Sequence, residues 1–200
     1  MKSDRNASRG YSLAELLVVV AMIGIISLVT VPQFMSMFRS AKVRSSLRAF
    51  TGDSRAARAR AVGRHKPVRL SICNAASGCD VSSITPAITL PAKPVDRPAN
   101  TLLRHEYVVF DNTTGTTWVP IPPGQPLGGV RQMDDTVYFG NVTFTDATPT
   151  DNLLDITFLV DGTIAALTST GTVVIRTDAE IAKPVMTVDF NRTGQLQARD

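Results

Sequence analysis

The chain has 200 residues, 44% hydrophobic and 19% charged, with a formal net charge of +4. That length holds one main domain with a core of its own, with room for an appendage. The charge is too unevenly spread for a uniformly basic protein: residues 39–69 carry ten Lys or Arg against Asp53 alone, whereas residues 70–200 carry eight basic and fourteen acidic residues.

In chain order, a short basic leader comes first, with Lys2, Arg5 and Arg9 against Asp4. A run of 23 positions without charge follows, from Leu16 to Phe38, with Glu15 directly before it. At about 1.5 Å per residue in a helix, such a run spans a hydrocarbon core of roughly 30 Å. It is longer than the apolar region of a cleaved secretory signal, and no Ala-x-Ala site follows it. A carboxylate at the edge of a membrane segment is costly, and a plain single-pass anchor does not explain it. Gly24 and Pro32 interrupt the run. Proline lacks the amide for an intrahelical hydrogen bond, so the pair marks either a place where the helix loosens or a simple kink.

From Phe34 to Gly63 the helical pattern continues. Val43, Leu47, Phe50, Ser54, Ala57 and Ala61 recur at steps of three and four, an amphipathic stripe that predicts packing on a following globular part. Gly63 and Pro67 are its expected stop. The arginines of this stem, Arg55, Arg58, Arg60 and Arg64 among them, read as a solvated face that pairs with acidic neighbours or lipid head groups. Contact with DNA phosphates is the sharper alternative, though little aromatic surface is interleaved for base stacking. The basic stem also outweighs the leader in charge, which runs against the usual retention of positive flanks in the cytoplasm.

Beyond Lys66 the chain is rich in short β-branched and aromatic runs: PVRLSIC, HEYVVFD, TVYFG, NVTFT, LLDITFLV, TIAALT, TVVIRT and PVMTVDF. Asp161-Gly162 predicts a type I′ hairpin between the runs LLDITFLV and TIAALT, and Thr193-Gly194 a similar turn near the end. Pro86–Pro98 and Pro120–Gly129 read as loops. Cys73 and Cys79 are the only cysteines; they form a small disulfide in an oxidising compartment or stay as two reduced thiols elsewhere. With no histidine near them they make no zinc site. His65 and His105 show no metal-ligand spacing, and no nucleophile elbow, phosphate loop or dinucleotide fingerprint is present. The expectation is a protein without catalysis or cofactor.

The junction Arg9-Gly10-Tyr11-Ser12-Leu13-Ala14-Glu15 and the apolar run after it resemble the class III signal of type IV pilins and type II secretion pseudopilins. The resemblance implies that a prepilin peptidase cuts between Gly10 and Tyr11 and methylates the new amine of Tyr11, where the family usually has phenylalanine. It implies that Glu15 meets that amine on a neighbouring subunit and sets the register of a filament, because a desolvated charge needs a partner. A second resemblance narrows the branch. VRLSIC followed by Cys79, ITFLVDGT with Phe158, Asp161 and Gly162, and MTVDFNRTGQLQ with Gly194 are similar to the GspH/FimT group of minor pseudopilins and minor pilins. The DNA-uptake motif of some members, Gly-Arg-x-Arg, is replaced here by Gly194-Gln195-Leu196-Gln197.

Together these readings predict an α+β fold: a long N-terminal helix packed on a C-terminal antiparallel β-sheet domain. The expected divisions are a cytoplasmic leader over 1–10, a transmembrane and filament-core helix over 11–38, a basic amphipathic stem over 39–65, and a periplasmic β-rich part over 66–200. The expected function is a minor pseudopilin of type II secretion held in the inner membrane by a single pass. Its implied partners are the peptidase, other pilin-like subunits and the inner-membrane assembly platform. A minor pilin of a type IV pilus, concerned with DNA uptake, is the alternative; a membrane-anchored periplasmic binding domain that never polymerises is the second.

Overall fold

The structure, a computed structural model, describes residues 12–75, 77–81, 101–115, 117–143, 153–165, 167, 170–177 and 185–199, side chains at 29 and 141–143 excepted. One α-helix, α1, runs from Leu13 to Arg64. The chain divides into two compact units, one ending at Arg39 and the other running from Ser40 to Asp200.

In the first unit every described large apolar side chain from Leu13 to Phe38 stands exposed, from Val19 at 50% to Leu28 at 79%. Such a surface has no place in water and needs lipid or protein around it. The Ser12 carbonyl accepts from the amides of Glu15 (3.0 Å) and Leu16 (3.2 Å), closing the first turn. Pro32 sits inside the helix without ending it. The hydroxyls that dilute this run turn inward: Ser27 donates to the Ile23 carbonyl at 2.7 Å, Thr30 to Ile26 at 3.0 Å and Ser36 to Gln33 at 2.8 Å.

The second unit is helix on sheet. Val43, Leu47, Phe50, Ala57 and Ala61 are buried, and Ser54 is fully enclosed with its hydroxyl on the Phe50 carbonyl at 2.8 Å. The helical stripe is therefore the core face. It packs on two antiparallel sheets. The first has the order β5 (Trp118–Pro120), β4 (Glu106–Asn112), β1 (Val68–Cys73), β8 (Leu153–Phe158), with β6 (Val130–Gln132) also paired to β4. The second has the order β11 (Leu196–Arg199), β10 (Met186–Asn191), β9 (Thr170–Thr177), β7 (Val137–Thr143). A short pair, β2 (Cys79–Asp80) and β3 (Thr101–Leu102), completes the described strands. The ring of Phe50 meets Tyr107 at 5.4 Å, Phe139 at 5.1 Å and Phe190 at 6.3 Å, all edge-on. One helical side chain thus joins both sheets.

A second apolar cluster, with Cys73, Cys79, Val81, Leu102, Val108, Phe110 and Leu153, covers the other face of the first sheet. This accounts for the near-continuous burial of β1 and β4, which read as unbroken apolar runs because both faces are covered. Cys73 and Cys79 are bonded, with Cα atoms 5.6 Å apart.

Several sequence expectations are corrected here. All of TVYFG but its threonine, and the first three residues of NVTFT, fall in one strand, β7, with an irregular register between Phe139 and Val142. TIAALT forms no strand among its described residues: a single bridge joins Phe158 to Ile164, and the Ile164 amide donates to the Arg192 carbonyl. The Asp161-Gly162 turn is not type I′. Among the described residues only Gly162 of that pair has a positive φ, 81°, and the Gly162 amide donates to Leu159 while the Leu159 amide donates to Thr163. That is a three-residue loop ending in a left-handed glycine. The helix stop also differs. His65, not Gly63, takes the left-handed conformation at φ 51°, and the amides of His65 and Lys66 cap Val62 and Ala61, a Schellman ending. Of the expected loop Pro120–Gly129, Pro120 ends β5 and residues 121–129 form the loop to β6, and Pro86–Pro98 lies outside the described residues.

Candidate functional site

Two surfaces carry the sequence-predicted residues. The first is the helix start. Gly10 and Tyr11 lie outside the described residues. Glu15 occupies the first turn of α1, exposed, with no partner among the described residues. A carboxylate there is favoured by the helix dipole, which stabilises its charge without an ion pair. A Cβ placed on Gly24 would meet no atom within 4 Å, so nothing within this chain demands a glycine at that position.

The second surface is the stem, and its two flanks differ. On one flank the charges are held by the sheets. Asp53, the lone acid of the stem, accepts from Tyr107 Oη at 2.7 Å and from Arg131 Nε at 2.7 Å and Nη2 at 3.0 Å. Burial and the bond to Asp53 push the Tyr107 hydroxyl well above its ordinary 10.0. The same bond raises Arg131. Arg60 Nε donates to Asp111 at 2.7 Å, Arg64 Nη1 reaches the same carboxylate at 3.2 Å, and the bond to Asp111 raises Arg60. Lys42 meets Asp134 at 3.2 Å. Asp134 is held below the usual carboxylate range chiefly by the Thr136 hydroxyl.

The other flank is open. Arg44, Arg48 and Arg55 are exposed and have no partner among the described residues. Of the four arginines the sequence nominated for outside contacts, Arg60 and Arg64 are therefore tied to Asp111. Arg58 donates its Nε to the Gly162 carbonyl at 2.9 Å, and Arg55 alone is free. The clamp residues Asp53, Tyr107, Asp111 and Arg131 were missed. Asp53 had a signal, as the one acid among ten bases; its partners had none, because their pairing depends on sheet register.

Arg58 also explains the two glycines of the family-like motifs. Gly162 and Gly194 (φ 74°) end matching turns that meet beneath it. A Cβ on Gly194 would lie 2.2 Å from the Gly162 carbonyl and 2.8 Å from Arg58 Nε. Asp161 holds the first of these turns. It accepts from the Thr163 hydroxyl and amide, the hydroxyl first in holding its carboxyl below the usual range.

The prokaryotic N-terminal methylation motif matches residues 5–31, which include Glu15, Gly24 and the junction before them. The fold is similar to that of the minor pseudopilin EpsH from the type 2 secretion system of Vibrio cholerae. The two share a TM-score of 0.51 and 8% identity over 79% of this chain and 96% of that one. The chain thus carries that methylation motif on a fold similar to a minor pseudopilin's. A lesser likeness joins it to the Pseudomonas aeruginosa type IV minor pilin FimU, at a TM-score of 0.48 and 10% identity over 82% and 92% of the two chains. Comparison of the sequence with curated proteins finds no match.

Proposed function

We propose that the chain is a minor pseudopilin, a structural subunit of a type II secretion filament with no catalysis of its own. The observation that carries this reading is the methylation motif set before an exposed apolar helix on a pseudopilin fold. Prepilin peptidase cuts between Gly10 and Tyr11 and methylates Tyr11. The new amine is cationic near neutral pH, and Glu15 of an adjacent subunit offsets it in a medium where either charge alone is expensive. Gly24 and Pro32 let the helix loosen as it leaves lipid for the filament. The leader stays cytoplasmic, the apolar helix crosses the inner membrane once, and the second unit folds in the periplasm. The Cys73–Cys79 bond supports that oxidising address.

The test is the secreted-protein profile of a deletion strain, its parent and a complemented strain, read with the N-terminal mass of the membrane-extracted protein. A methylated Tyr11 terminus and loss of specific exported proteins, restored by complementation, are expected. A methylated terminus with an unchanged export profile and impaired twitching makes the chain a minor pilin instead. An uncleaved terminus makes it an anchored domain that does not polymerise.

A further inference from the structure

We propose that the outer edge of β11, with the groove beside it, receives an extended acidic segment of another protein as an added strand. The site lies within the second unit and is independent of filament assembly.

Three observations converge there. First, a groove of ≈ 810 Å³ opens between α1 and the last strands, lined among others by Arg55, Arg58, Asp189, Leu196 and Arg199. Its single carboxylate is already engaged: Asp189 is met by Arg199 at 3.0 Å and accepts from Thr172 at 2.9 Å. The free positive charge of Arg55 therefore dominates, and Arg48 and Arg44 extend it along the same helix flank.

Second, β11 is a bare edge. Among the described residues it pairs with β10 alone, in continuous register from Thr187–Arg199 to Phe190–Leu196. Proteins usually blunt such edges with bulges, prolines or covering elements. The opposite edge strand, β7, carries its irregularity between Phe139 and Val142; β11 has neither bulge nor proline.

Third, the ladder fixes which main-chain groups are available. The Asn191 amide donates to the Gln195 carbonyl. Antiparallel alternation then turns the main chain of Gln197 and Arg199 toward β10 and that of Leu196 and Ala198 outward. An added strand places successive side chains on opposite faces. One set falls on the helix side, toward Leu196 and Arg55, and the other on the face of Arg199. Free arginine waits on the helix side, since Arg199 on the other face is held by Asp189, so the matching segment alternates acidic with small apolar residues.

The experiment uses the full chain in detergent and a short labelled peptide alternating glutamate and valine, followed by fluorescence anisotropy. Binding that weakens with salt is expected, weaker by about tenfold for R55E and for A198P and for a peptide with proline in place of its valines. Ala198→Pro removes only an outward amide, and circular dichroism checks its fold; Arg55→Glu and the proline peptide test the idea without that variant. Equal binding of the proline peptide reduces the site to bulk charge and overturns the proposal. So does absence of binding at low salt, or a DNA oligonucleotide that binds more tightly and ignores A198P. A dimer of the chain abolished by A198P, with no peptide competition, would give the edge to a second copy and equally overturn it.

Discussion

Arg58 sits over a point where two glycine turns touch, and the space there is full. Gly194→Ala would press a methyl group on the Gly162 carbonyl in a backbone conformation that L-residues disfavour. A loss of about 3 kcal/mol is expected, measurable as a lowered urea midpoint with unchanged slope. His65 offers the opposite case. It holds φ 51° at the helix end, so His65→Gly is expected to stabilise the chain by about 0.5–1 kcal/mol, read from the same curve. Tyr107 supplies a pH test. Its hydroxyl keeps its proton in the folded state beyond the ordinary 10.0, while the unfolded chain gives it up there. The stability it adds is complete below about pH 10 and is lost as pH rises above that value. Tyr107→Phe should flatten the alkaline fall in stability. At this scale the sequence showed that Gly162 and Gly194 mattered but not why, since their contact spans residues that only the fold brings together.

The helix is best understood by its sides. Its apolar stripe was legible because 3.6-residue periodicity needs no tertiary knowledge, and every residue of that stripe is buried. Phe50→Ala removes the helix ring that touches both sheets and should cost about 4 kcal/mol. The acid-paired flank and the open one could not be told apart from sequence, because basic residues look alike until their partners are placed. Asp111→Ala should cost about 2 kcal/mol by leaving Arg60 partly buried without its carboxylate, whereas Arg48→Ala should change stability by less than about 0.5 kcal/mol. The long strands were readable from β-branched runs. The two- and three-residue strands β2, β3, β5 and β6 were not, since so short a piece has no periodicity to detect. TIAALT misled because its composition suits a strand, yet Ile164 is buried by turning toward Arg192 instead of extending the ladder.

For the whole molecule, the first unit poses a sharper question than the second: what surrounds it. Glu15→Gln keeps size and hydrogen bonding but removes the charge. The expected outcome is normal peptidase processing with loss of incorporation into sheared filaments, scored by immunoblot. The hydroxyls of Ser27, Thr30 and Ser36 bear on the same point. Each already donates to a carbonyl of its own helix, so these three hydroxyls ask nothing of their surroundings. Hydrocarbon and a bundle of like helices are then equivalent hosts as far as these groups are concerned. A segment of this kind passes from one to the other without making or breaking a hydroxyl bond, leaving shape and the single carboxylate at its start to decide where it rests.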